Sequence, residues 1–306
     1  MNVTSVSRRA TINCLIGLAI LAWPTAAGIA QQAEYAELPI PAAQQLAEER
    51  RIDAALAALK PQRPGVVDAY VIVVALDGDP VFSREAREAG HVLASRFDAA
   101  GRTIVLANDE GASRADAPGS PHTLALALAR VAELMDRNED VLVLYSTSHG
   151  APNVGLVYKD LKRGGGVITP ARLNELLDPL GFKNRLIILQ ACFSGQFVPT
   201  LEGSRTIVVT AAAADRSSFG CQAGNDWTFF GDALINHALR QPLPLDLQLR
   251  RATVLISAAE DQDKLEPSNP QISIGSETSA WLSPLEMREP KTTSTPVGQS
   301  VLGLGN

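Results

Sequence analysis

Cysteine is scarce in this chain. Three residues, Cys14, Cys192 and Cys221, are spread over 306 positions, too few for a disulfide-built scaffold. Positive charge is also in deficit: the net charge is -6 and no Lys/Arg run occurs. That argues against a surface that tracks phosphates, so no nucleic-acid partner is expected. After the first thirty residues no apolar run is long enough to span a membrane. The four histidines (His91, His122, His149, His237) show no metal-ligand spacing. Gly164-Gly165-Gly166 lacks the Lys and Ser/Thr that would follow in a phosphate loop, so it is read as the turn of a hairpin between GLVYKD (155–160) and VIT (167–169). Neither a metal nor any other cofactor is implied.

What remains is ordinary globular composition, with 46% hydrophobic and 20% charged residues. The N-terminus reads differently. Arg8 and Arg9 precede an apolar stretch over 12–23, and small residues follow at 26–30. This order is that of a secretory signal peptide cut after Ala27 or Ala30, so residues 1–30 are set apart and the chain is expected to be exported, periplasmic or secreted. Residues 31–65 read as an N-terminal helix and linker. Residues 66–283 read as one domain, and the Pro-, Thr- and Gly-bearing segment 284–306 as a disordered tail.

Within the domain, apolar runs alternate with amphipathic stretches. YVIVVAL (70–76), RTIVLAN (102–108), DVLVLYST (140–147), RLIILQA (185–191) and RTIVVTAA (205–212) read as strands. YVIVVAL is apolar at every position and the others carry a continuous apolar centre, the pattern of parallel strands buried on both faces. Helical spacing occupies 41–60, 83–98, 122–137, 170–180, 228–240 and 245–264. Alternation of this kind predicts βαβ units, a mostly parallel sheet and helices on both faces.

Two residues stand out by position. Ser148-His149-Gly150 ends the third expected strand and Gln190-Ala191-Cys192 the fourth. Open α/β sheets build their sites at the carboxyl ends of parallel strands. A thiol there needs a base, because free Cys is mostly protonated at neutral pH. An imidazole within reach takes the proton and stabilises the thiolate. The N–H groups of Gly150 and Cys192 would supply an oxyanion site, with each such donor contributing about 3–4 kcal/mol. Ser194 in CFSG is a rival nucleophile, but Cys192 stands where G-x-S-x-G requires its first Gly.

YSTSHG (145–150), QACFSG (190–195), SSFGC (217–221) and TFFGD (228–232) together resemble the legumain-like cysteine peptidases, closest to their secreted bacterial branch. RTIVLAN (102–108) and SNPQI (268–272) extend the resemblance over roughly residues 70–282. It implies a caspase-like three-layer α/β/α sandwich and a peptide or protein substrate. His149 would be the base and Cys192 the nucleophile. It also implies a pocket for a cleaved Asn or Asp, carried onto Arg84, Gln190, Ser217 and Asp232. Gln190 replaces the acidic member. The family's third catalytic residue, an Asn, falls on Phe82 here, leaving a dyad. Alternatives are a transpeptidase using the same acyl-enzyme, or a catalytically weak or inactive binding protein on the same fold. Cys221 is expected to be structural, and a bridge from it to Cys192 would mask the nucleophile.

Overall fold

The computed structural model describes Met1 and residues 35–110, 112–160 and 162–304. Apart from Met1, the expected signal segment lies outside the described residues. The chain divides into Met1–Ala33 and Glu34–Asn306, and only the second unit is described below.

In chain order the elements are β1 (Tyr35–Glu37), α1 (Ala42–Ala58), β2 (Ala69–Ala75), α2 (Pro80–Arg96), β3 (Thr103–Leu106), α3 (Pro121–Leu134) and β4 (Val141–Thr147). There follow β5 (Gly150–Ala151), β6 (Gly155–Asp160), β7 (Gly164–Ile168), α4 (Pro170–Leu177), β8 (Asn184–Gln190), α5 (Val198–Leu201) and β9 (Thr206–Thr210). The last are α6 (Phe229–Gly231), α7 (Leu245–Asp263), β10 (Gln271–Ile274) and α8 (Ser279–Glu286), with a π-helical segment, Asp232–His237, running on from α6.

Local chemistry sets the helix starts. Pro80, Pro121 and Pro170 occupy the first turns of α2, α3 and α4, where their missing N–H costs nothing. Ser120 and Thr169 cap α3 and α4 by accepting the N–H groups of Thr123 and Arg172, each at 3.1 Å.

The central sheet has six strands in the order β10-β9-β8-β4-β2-β3. All neighbouring pairs are parallel except β10 with β9. Strands β2, β4 and β9 are buried throughout and β8 nearly so, whereas β10 at the edge is mostly exposed, and alternate side chains of the inner strands enter two separate cores. Val71, Val73, Val143, Tyr145, Leu186 and Ile188 face the layer that contains α2, α7 and α8. Tyr70, Ile72, Leu142, Leu144, Ile187 and Leu189 face the layer that contains α1, α3 and α4. The result is the expected three-layer α/β/α arrangement. Ile52 of α1 is buried in the second core, so this helix packs on the domain. A second, smaller sheet, β1-β7-β6-β5, is antiparallel. Its β6–β7 hairpin was expected, but the three glycines lie on β7 rather than in the turn. Among the described residues, no helix is long and apolar enough to cross a membrane.

The tail expected to be disordered, 284–306, is instead anchored over its described part. Leu285 and Leu302 are buried. Trp227 Nε1 donates to Val297 O at 2.8 Å, and Ser300 Oγ and Val301 N donate to the Asp232 carboxylate at 2.7 and 2.8 Å. Composition alone misleads here because the tail does not form a core of its own. It supplies donors to a fully buried carboxylate and an acceptor to an indole N–H, both of which need partners. Truncation after Pro296 is therefore expected to destabilise the protein by about 3–5 kcal/mol. An unchanged denaturant midpoint in the truncated chain would show that this segment contributes nothing.

Candidate active site

His149 and Cys192 stand at matched positions on adjacent strands. β4 and β8 pair in parallel from Val141 opposite Asn184 to Thr147 opposite Gln190. Each residue of interest lies two positions beyond that last pair. Ser148 N donates to Gln190 O at 3.0 Å, extending the pairing past the strand ends. The two segments then close further. A Cβ on Gly150 would lie 1.9 Å from the carbonyl oxygen of Cys192, so only glycine fits there. The close approach that Gly150 allows is therefore to Cys192's own backbone. Just beyond, Phe193 adopts φ +59°, a left-handed conformation costly for a bulky residue. Its N–H donates to Arg216 O at 2.7 Å.

The Cys192 sulfur lies along Ser218, which donates its N–H at 3.3 Å while its carbonyl lies 3.4 Å away. Several influences bring this thiol down to about 6. The largest is a hydrogen bond from Cys221; the Ser218 N–H, the charge of His149 and Ser217 add to it, while burial opposes. The same bond and burial push Cys221 up. Both cysteines are free thiols. One of the pair is thus set to ionise and the other to stay protonated. Ser194 is not comparable. It is buried, donates to Ala191 O at 2.7 Å and accepts from Ala212 N, so it is not presented to a substrate.

His149 is partly exposed and meets α2 at its start. The ring of Phe82 packs edge-on against it, with centroids 5.0 Å apart and planes at 86°. His149 Nε2 lies 3.3 Å from Asp79 Oδ2. Lys159 Nζ lies 3.5 Å from the other Asp79 oxygen and 4.0 Å from Asp77 Oδ1. Burial pushes the Asp77 carboxyl above its usual range, against the Asp79 N–H, His149 and Lys159. Among the described residues, Asp77, Asp79 and His149 come close enough together to hold a metal ion. The Lys159 ammonium already serves both carboxylates as their cation.

His149 and Cys192 open on a cleft of about 900 Å³ whose walls include Ser217, Phe219, Cys221, Asn225 and Asp226, with Gln299, Ser300 and Val301 from the tail. Residues 119–255 match the Peptidase C13 family, a segment that holds both residues and the whole of strands β4 and β8. Over that segment the chain resembles a family of cysteine peptidases. Among curated proteins none matches it. Among solved structures, Caspase-1 from Spodoptera frugiperda aligns at 15% identity over 71% of this chain and 93% of that one, with a TM-score of 0.45. The drICE structure aligns at 10% identity over 71% and 91%, with a TM-score of 0.43.

The residues to which the legumain-like pocket was carried do not converge on the cleft. Ser217 lines it beside Cys192. Arg84 is committed to its own protein: it pairs with Glu110 at 2.6 Å and donates to the carbonyls of Ala223 and Asn225. It braces the loop that forms one wall. Gln190 is fully buried, where its Oε1 accepts from Thr147 Oγ1 at 2.9 Å and from Ser148 N at 3.3 Å. It ties together the two strand ends that carry His149 and Cys192. Asp232 is also fully buried and is satisfied by Asn236, His237, Ser300 and Val301 N. Arg84, Gln190 and Asp232 therefore act from behind the cleft wall.

Sequence reasoning missed the buried Glu85. Its carboxylate accepts from Tyr145 Oη at 2.6 Å and from Thr228 Oγ1 at 2.7 Å. A Cβ on Gly231 would meet its Oε2 at 1.9 Å. The Thr228–Asp232 motif is thereby explained: Thr228 binds Glu85, Gly231 leaves room for it and Asp232 anchors the tail. The glycine in that motif was the available signal. The thiol environment yields a test. Alkylation of Cys192 by iodoacetamide should rise with pH about a midpoint near 6, ahead of Cys221. Cys221→Ala, which removes a bond that favours the thiolate, should move that midpoint upward. Faster labelling of Cys221, or an unmoved midpoint, would contradict this account.

Proposed function

We propose that this chain is a cysteine endopeptidase working through a Cys192/His149 dyad. The observation that carries this reading is the register of β4 and β8, which brings the two residues to matched strand ends over one cleft. The lowered thiol gives Cys192 substantial thiolate character at neutral pH. The thiolate attacks the scissile carbonyl carbon, forming a C–S bond and a tetrahedral oxyanion. The N–H groups of Gly150 and Cys192 receive that oxyanion. Collapse breaks the C–N bond as the His149 imidazolium protonates the leaving amine. Water, deprotonated by His149, then hydrolyses the thioester and regenerates the thiol.

For the cleaved residue we propose Asn over Asp. Ser217 and Asn225 offer neutral polar contacts, while Asp226 and Asp263 carry negative charge on the cleft wall. A carboxamide is accommodated by such a wall and a carboxylate is repelled. Export to the periplasm or beyond is proposed from the charge, apolar run and small residues of the first thirty positions. N-terminal sequencing of protein recovered outside the cytoplasm checks it, with a new N-terminus at residue 28 or 31 expected.

Two measurements test the chemistry. Cys192→Ala should abolish cleavage of fluorogenic peptides, and His149→Ala should slow it on the order of 10²-fold or more. Cleavage undiminished in Cys192→Ala sinks the reading. In a peptide panel varied at the cleaved position, Asn substrates should turn over faster than Asp substrates. With an added amine nucleophile, hydrolysis products should predominate, whereas predominance of the aminolysis product would make the chain a transpeptidase.

A further inference from the structure

Asp79 is the residue before α2 begins, a helix N-cap. An aspartate there ordinarily accepts an N–H from the first turn. Asp79 makes no such capping bond. Its side chain is turned away from its own helix, with Oδ2 3.3 Å from His149 Nε2 and Oδ1 3.5 Å from Lys159 Nζ. Its backbone N–H donates to Asp77 Oδ1 at 3.0 Å, which fixes the turn that aims it. Phe82 follows one helical turn later on the same face and meets the same imidazole edge-on.

We propose that Asp79 is the positioning residue for His149, replacing the Asn that legumain-like proteins carry at the position of Phe82. This rests on the dyad reading above. A carboxylate only accepts hydrogen bonds. Bonded to Nε2, it places the ring proton there and leaves Nδ1 with its lone pair, free to take the thiol proton. It also stabilises the imidazolium once that proton arrives. Phe82 has no acceptor to offer the ring in its plane, but its edge limits rotation about the bond that Asp79 sets. Lys159 holds the other carboxylate oxygen, so Asp79 approaches His149 with one oxygen. The acceptor of the third position has thus moved one helical turn upstream, at the expense of the helix cap.

The test compares Asp79→Ala and Asp79→Asn with the native chain. Asp79→Ala should lower kcat about 10- to 100-fold with KM within twofold. Asp79→Asn, which keeps an acceptor oxygen, should restore most of the loss. The ¹⁵N shifts of the His149 ring give a readout that does not depend on activity. The Nε2–H tautomer is expected in the native chain and in Asp79→Asn, and a mixture of tautomers in Asp79→Ala. Because Asp79 is partly exposed and caps nothing, both variants should unfold at the native midpoint. An Nδ1–H ring in the native chain, or ring shifts unchanged in Asp79→Ala, overturns the proposal. A native chain that fails to cleave any peptide overturns the dyad reading instead, and the tautomer measurement still decides whether Asp79 sets the ring.

Discussion

The pairing of β4 with β8 governs this molecule. Seven consecutive positions are matched, and Thr147 ends opposite Gln190. A slip of one residue would exchange every inward side chain between the two cores. It would also carry His149 out of line with Cys192. The register is held from both sides. Alternate valines, leucines and isoleucines fill two distinct cores. At the site end, Gln190 reaches across to Thr147 and Ser148, and Gly150 admits the Cys192 backbone at a distance no side chain would tolerate. The proposed chemistry depends on this contact, because hydrogen-bond reach between a base and a nucleophile leaves little tolerance.

A second constraint follows from burying carboxylates behind the cleft. Glu85 and Asp232 are both fully enclosed, and each would be strongly unfavourable without partners. Glu85 draws Tyr145 of β4 and Thr228 into one cluster, so the sheet and the segment before α6 are tied together. Asp232 draws in the C-terminal tail, which then lines the cleft through Gln299, Ser300 and Val301. The cleft wall is therefore built partly from residues distant in sequence, held in place by hydrogen bonds to buried carboxyl groups together with the apolar packing of Leu302. Arg84 works in the same manner, bracing the loop 223–226 from outside.

Inside the cleft, two groups of like chemistry are driven apart. Cys192 and Cys221 share a hydrogen bond, and its consequence is asymmetric: the acceptor sulfur becomes easier to ionise and the donor harder. The Ser218 N–H and His149 favour the same sulfur. Separation of paired titratable groups in this way commonly marks an acid/base or nucleophilic site.

The alternation of strands with continuous apolar centres and amphipathic helices determined the layered α/β class, because burial on both faces leaves no alternating polar positions within the run. Strand-end placement singled out His149 and Cys192 for the same reason: the ends are where the apolar run stops and chemistry can begin. Motif matching chose Ser217, which lies beside Cys192, but misjudged the polar residues around it. Residue type reports that Arg84, Gln190 and Asp232 are polar, not which neighbours consume their hydrogen bonds. Only the tertiary structure decided that. It turned Asp79 toward His149 instead of its own helix, seated Glu85 behind Gly231 and bound the tail to Asp232. These are contacts between groups 60 or more positions apart, and local pattern carries no record of them.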